Sequence, residues 1–335
     1  MKKLIIWALK AAAAGIIALA LLCVFCLLYY NVPVHYTNPD ASTEYKWEAN
    51  RFYSRGTEGF ALGKTNNDGF NNLRDYNPGD KIDVLLLGSS HMEGFNVAQD
   101  ENTAAVMNEL FAGEKYVYNI GTAAHTLAYC IKHISAALDT YAPTGYAVLE
   151  TNTVNFSAET LSAAADGTLP AIESHSGGLI TLMQKIPYLR LAYTKLSRAD
   201  AGVLDIDKAI ALEQTSIEDY PSALRPMLQL AADAADAHGV KLIIAYDPVI
   251  AVNQQGEAIT GTDPDCLNAF EDICAELGII FLDATDTFIG NYAQNHTLPY
   301  GFSNTEPGMG HINPVGHRLF AQLICDAINA TEGRA

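Results

Sequence analysis

Five short, almost continuous apolar runs separated by long helical patterns constrain this chain most. They are IDVLLLG (82–88), YVYNIG (116–121), YAVLET (146–151), VKLIIAY (240–246) and GIIFLD (278–283). A strand without polar alternation fits a parallel sheet covered on both faces. Helical patterns fit between them, near 103–112, 123–140, 221–238, 263–276 and 314–329. The last begins with Asn313 at the N-cap and Pro314 at the first helical position. Alternating strands and helices, joined by right-handed crossovers, predict a three-layer α/β/α sandwich around a five-stranded parallel sheet. The rhythm breaks between 151 and 240, a gap longer than one helix needs. Residues 155–206 are therefore expected to be an insertion, helical around 178–198. It follows a strand's C-terminal end, where open α/β sheets bind ligands, and reads as a lid or as a packing appendage.

Ahead of this domain, Ala11 to Tyr30 is a run of 20 residues without a charge. At about 1.5 Å per residue a helix of this length spans about 30 Å, the thickness of a bilayer core. Lys2, Lys3 and Lys10 precede the run, and no acid occurs before Asp40. This asymmetry predicts a single-pass anchor at residues 1–30, N-terminus cytoplasmic and the remainder extracytoplasmic in the cell membrane. A cleaved signal peptide is the alternative, but the run is long for one and no small-x-small site follows. Residues 31–80 carry turn signals such as Asn38-Pro39, Asn67-Asp68-Gly69 and Asn77-Pro78. They read as a connecting segment, a turn or hairpin packed on the main domain, which spans 81–332.

Charge and cysteines narrow the function. Lys and Arg number 20 against 38 Asp and Glu, a net charge of −18. Nucleic-acid binding needs a basic footprint, so it is not expected. Of the six cysteines, Cys130, Cys266, Cys274 and Cys325 lie past the anchor, among apolar residues and without zinc-ligand spacing. They read as small buried hydrophobes.

The candidate chemistry sits at strand ends. The first strand runs into Gly88-Ser89-Ser90-His91-Met92-Glu93-Gly94. A serine at a sharp strand-to-helix turn projects its hydroxyl from the sheet edge, and its own N–H can face an oxyanion. No Gly-Lys-Ser/Thr follows, so this is not a phosphate loop. The segment Gly308-Met309-Gly310-His311-Ile312-Asn313-Pro314-Val315-Gly316-His317 places His311 in a glycine-rich loop before the last helix. Such a loop can bring an imidazole to the same edge as Ser90.

These blocks resemble the SGNH (GDSL-type) hydrolases, over residues 81–330. GSSHMEG is similar to the family's G-D-S-x-x-x-G block, with Ser90 at the nucleophile. Asn119-Ile120-Gly121 resembles N-x-G, with Gly121 at the oxyanion-donor glycine. Asn152 resembles the asparagine of G-x-N-D, and His311 in H-x-N-x-x-G-H the catalytic histidine. The resemblance implies a flavodoxin-like fold and an oxyanion hole of Ser90, Gly121 and Asn152, with no metal or organic cofactor. There are departures. Ser89 stands for Asp, Glu150 and Thr153 for the Gly and Asp around Asn152, Ala124 for a glycine, and Gly308 for the Asp of D-x-x-H. The acid that orients the histidine is therefore absent from its usual place. Glu306, Asp247 and Asp286 are the candidates to replace it; the alternative is a backbone carbonyl that orients the ring, leaving a Ser–His dyad.

The resemblance, with an extracytoplasmic domain, implies a serine esterase or O-acyltransferase working through an acyl-serine on an acylated cell-surface glycan. Envelope-assembly proteins are the partners such a setting suggests. The alternative is a non-catalytic carbohydrate-binding or scaffold protein that kept the fold after losing the acid.

Overall fold

The apolar runs become strands, and their alternation divides one continuous hydrophobic sequence between two cores. A computed structural model describes residues 1–172, 186–198 and 219–334. The chain begins with α1 (Lys2–Tyr29) and five short strands, β1 (Tyr30–Asn31), β2 (His35–Thr37), β3 (Tyr45–Trp47), β4 (Phe52–Arg55) and β5 (Ala61–Lys64). Then come β6 (Val84–Leu87), α2 (Ser90–Glu93), α3 (Thr103–Leu110), β7 (Val117–Asn119), α4 (Leu127–Tyr141), β8 (Tyr146–Thr151), α5 (Ala158–Ala165) and α6 (Pro187–Arg198). The C-terminal part holds α7 (Tyr220–His238), β9 (Lys241–Tyr246), β10 (Ile250–Val252), β11 (Ala258–Thr260), α8 (Pro264–Glu276), β12 (Ile280–Asp283), α9 (Thr285–Asn295) and α10 (Pro314–Thr331).

The sheet has the order β12-β9-β8-β6-β7, all pairs parallel. Numbered by appearance and read from the other edge, that is 2-1-3-4-5, the doubly wound order with its switch point between the first and third strands. Leu85, Leu87, Leu149 and Ile244 face α4, α7 and α8. Val84, Leu86, Val148 and Ile243 face α3, α9 and α10. Side chains alternate across a strand, so neighbours such as Leu85 and Leu86 enter opposite layers. Each fully buried aliphatic contributes about 1.5–3 kcal/mol. α10 starts as its sequence predicts: Val315 and Gly316 donate their N–H groups to Asn313 Oδ1 at 3.0 and 3.1 Å. Cys130, Cys266, Cys274 and Cys325 are buried and unpaired.

Residues 30–64 are more than a connector. β1, β4 and β5 form an antiparallel sheet and β2–β3 a hairpin. The polar stretch that follows is fastened to the domain by its amides. Asn71 Nδ2 donates to the carbonyls of Glu93 and Gly94, and Asn72 exchanges hydrogen bonds with the Asn119 backbone at 2.8 and 3.0 Å. Lys46, buried, pairs with Asp40 at 2.7 Å and Asp68 at 2.9 Å. Asp68 also accepts from Tyr118 and Tyr141.

Two further features were not anticipated: the β10–β11 hairpin and α9. Of the expected insertion at 155–206, α5 and α6 are described, and α6 packs against α1 and β1. Residues 173–185 and 199–206 lie outside the described residues. α1, 28 residues long, is exposed along most of its length and by composition is a candidate membrane span or signal sequence.

Candidate active site

The strand-to-helix turn at the end of β6 is built by residues that have few alternatives. A Cβ on Gly88 would meet Glu150 Oε2 at 2.5 Å and Met92 Cβ at 2.7 Å. Ser89 is the N-cap of α2, its Oγ accepting from the His91 N–H at 3.2 Å. Ser90 is the first helical residue, a position whose N–H has no partner within a helix. Gly94, left-handed at φ 68°, stops the helix after one turn. Ser90 is half-buried at the sheet's C-terminal edge, beside the switch point.

His311 reaches that edge on a loop with Gly308 and Gly310 at φ 79° and 88°. Gly301 N–H donates to the His311 carbonyl, and Tyr300 bridges to Ile312. Asn313 Nδ2 ties the loop to the carbonyls of Leu298 and Gly301. Ser90 Oγ and His311 Nε2 are 3.0 Å apart, although 221 residues separate them. The imidazole is 28 % exposed, so the pair is open to a ligand.

Behind the ring stands an acid that sequence reading missed. His311 Nδ1 faces Glu58 Oε2 at 2.8 Å, and the His311 backbone N–H donates to Glu58 Oε1 at 2.6 Å. Glu58 sits in the turn between β4 and β5. Asn304 clamps that turn, its Nδ2 donating to the Gly56 and Gly59 carbonyls and its Oδ1 accepting from Gly59 N–H. Asn96 Nδ2 donates to the Glu58 carbonyl at 3.3 Å. Gly310 has no Cβ where Glu58 Oε1 passes. With Nδ1–H donated to the carboxylate, Nε2 keeps its lone pair for the Ser90 hydroxyl proton. Such a chain is the arrangement that activates a serine hydroxyl.

The three acids expected behind His311 do not reach it. Glu306 is exposed, and Asp286 is exposed in the first turn of α9. Asp247 is fully buried and accepts instead from His91 Nδ1 at 2.7 Å. The reason is topological. The acid comes from a hairpin preceding the α/β domain, 253 residues from His311, where no spacing pattern could point to it.

The expected oxyanion donors are brought together only in part. Leu87 and Leu149 are level in the sheet, so Ser90 and Asn152 lie equally far past the same rung of neighbouring strands. Asn152 is exposed and makes no side-chain hydrogen bond among the described residues. Gly121 differs from expectation: its N–H is donated to Asn119 Oδ1 at 2.7 Å. The glycine is needed there for close approach, since a Cβ would meet the α2 backbone at 2.7 Å. Ala124, standing for a glycine, does adopt the left-handed conformation at φ 65°.

Beneath the turn lies a buried group of His91, Glu150 and Asp247, with ligand-type atoms within 4.8 Å of one another. These atoms largely satisfy one another and Ser89, so the group reads as a hydrogen-bonded cluster rather than a metal centre. Burial, then the Asp247 charge, pushes Glu150 up to about 8. Burial raises Asp247 well above the usual carboxylate range and lowers His91. The cluster therefore holds a proton that exposed carboxylates would release.

No protein-family model matches the sequence, and no curated protein is significantly similar. Among solved structures the chain is similar to an acetyl xylan esterase, AlAXEase, at 12% identity over 73% of this chain and 98% of that chain, TM-score 0.42. It is similar to the psychrotrophic esterase EstA from Pseudoalteromonas, solved inhibited by monoethylphosphonate, at 11% over 75% and 98%, TM-score 0.40. A member of the lipolytic G-D-S-L family from Veillonella parvula matches at 13% over 72% and 96%, TM-score 0.39. At such identities and TM-scores, chemistry has to be read from this chain's own residues.

Proposed function

We propose that the protein is a serine ester hydrolase of the SGNH type. The observation that carries this reading is the continuous chain from Glu58 through His311 to Ser90, with 2.8 and 3.0 Å contacts, at the switch-point edge of the sheet. Ser90 attacks the ester carbonyl while His311 Nε2 takes its proton. The carbonyl electrons move to oxygen, where the Ser90 N–H and the Asn152 amide donate to the oxyanion. Each such donor is worth about 2.7–4 kcal/mol. His311 then protonates the departing alcohol, leaving an acyl-serine that water or another hydroxyl resolves. Glu58 keeps the ring in the tautomer that accepts from Ser90 and stabilises the imidazolium that forms.

The finer reading is an O-acyl esterase or O-acyltransferase on an extracytoplasmic carbohydrate, tethered through α1 with its N-terminus cytoplasmic. The three lysines ahead of the apolar run support this orientation. The non-catalytic alternative rests on a missing acid, and the 2.8 Å contact of Glu58 with His311 weighs against it.

The test uses the full chain in detergent. Ser90→Ala is expected to abolish labelling by a fluorophosphonate and hydrolysis of p-nitrophenyl acetate, with an unchanged melting temperature. Undiminished turnover in that variant refutes the nucleophile. Incubation with an acyl donor and an oligosaccharide, read as acylated sugar or free acid, separates transfer from hydrolysis.

A further inference from the structure

The nucleophile's own neighbours carry a second inference, which rests on the esterase reading. Three successive residues are each tied to a different element. Ser89 is held by Glu150, Ser90 meets His311, and His91 is bonded to Asp247. The first tie is the tightest. Glu150 Oε2 accepts both the Ser89 N–H, at 2.6 Å, and the Ser89 hydroxyl, at 2.8 Å. With its proton so committed, the hydroxyl presents a lone pair to the His91 N–H, the cap of α2. Thus one carboxyl group sets the Gly88–Ser89 peptide and, through the Ser89 hydroxyl, the direction in which α2 leaves the strand.

Glu150 is suited to this by its place. It lies near the end of the central strand β8, paired in register with Ala245 of β9, and is 1 % exposed. Gly88 makes room for its Oε2, since a Cβ there would sit at 2.5 Å. From below, Asp247 accepts from His91 at 2.7 Å, and Tyr300 donates to the Asp247 carbonyl at 2.6 Å. Asp247 Oδ1 is the atom of this group left without a donor, which a proton shared with Glu150 would supply. Two of the positions that depart from the block pattern, Ser89 and Glu150, are thus in direct contact. Where an aspartate at 89 would carry the carboxylate on the turn, this chain carries it on the neighbouring strand.

We propose that Glu150 is a positioning residue that holds the Ser89–Ser90 turn, and that Ser89 and Glu150 function as an exchanged pair. The test is a cycle of E150G, S89D and the double variant, read as the rate of fluorophosphonate labelling at Ser90. E150G is expected to slow labelling about 100-fold, the scale of an ångström's misplacement. S89D alone, which sets a second carboxyl group against Glu150, is also slowed. The double variant is expected to recover at least about tenfold over E150G, a rescue that a merely structural residue does not show. A double variant labelling no faster than E150G overturns the proposal. Should E150G fail to fold, E150Q, which keeps one acceptor for the Ser89 amide, must label at least about tenfold faster than E150A, and equal rates overturn it. If the wild type is not labelled at all, the esterase reading has failed instead. The positioning role is then decided by whether E150G moves Ser90 Oγ away from His311 in a crystal structure.

Discussion

Replacing Glu58 by glutamine tests the proposed catalytic chain at its least expected member. The carboxylate accepts two hydrogen bonds that need two oxygens: the His311 ring Nδ1–H at 2.8 Å and the His311 backbone N–H at 2.6 Å. Glutamine offers one oxygen and one NH2. If the oxygen stays on the backbone N–H, the NH2 faces Nδ1. The ring must then carry its proton on Nε2, where it cannot accept from Ser90. The cost is about 10⁴ in kcat, as when a serine protease's acid becomes an amide, or about 5.4 kcal/mol. If the amide turns over, the NH2 opposes the backbone N–H, and the unmet donor costs about 1–3 kcal/mol in the loop that carries His311. Either way kcat/KM for p-nitrophenyl acetate should fall at least about tenfold, and toward 10⁴ if the first arrangement holds. E306Q and D286N, both at exposed positions away from His311, should leave it unchanged. Thermal melts confirm that each variant folds. An E58Q enzyme within about threefold of wild type, or one matched in its loss by E306Q, refutes the assignment of the acid.

Two further expectations follow from the same geometry. Gly310→Ala places a methyl where Glu58 Oε1 lies, at a φ of 88° that side chains rarely adopt, so activity should fall at least about tenfold while the melting temperature shifts by only a few degrees; a fully active G310A would show that the carboxylate need not sit there. Glu150 is raised to about 8 by burial, so its native form binds a proton that the unfolded chain releases near pH 4.5. Its contribution to stability is full below about pH 4.5 and is lost as pH climbs through about 8. The stability of E150Q relative to wild type in denaturant titrations should therefore grow between pH 5 and pH 8; a difference independent of pH contradicts a raised Glu150.

Much of the fold can be read from the chain because its causes are local. Continuous apolar runs admit one kind of strand, and IDVLLLG and VKLIIAY emerge as β6 and β9 within a residue or two of where their hydrophobicity begins and ends. Asn313-Pro314 starts α10 because an amide side chain and a ring without an N–H satisfy a helix's first turn by themselves. Ser90 and His311 could be named because each is flanked by glycines that permit a sharp turn at a strand end or before a helix. The weakly patterned elements escaped: β10–β11 and α9 are short, only partly buried, and supported by neighbours rather than by their own periodicity.

What only the tertiary structure decided is which charged group stands behind which polar one. Glu58 lies in a hairpin turn with no motif around it, and only folding of residues 30–64 onto the domain brings it to His311. Asp247, placed at a strand end by the same logic that placed Ser90, turns inward to His91. Gly121 lends its N–H to Asn119 rather than leaving it free. Backbone conformation follows from steric and hydrogen-bonding preferences carried by a few adjacent residues, and a sequence displays those. Electrostatic partnership is set by distances of about 3 Å between groups hundreds of positions apart, and these distances exist only once the layers have packed.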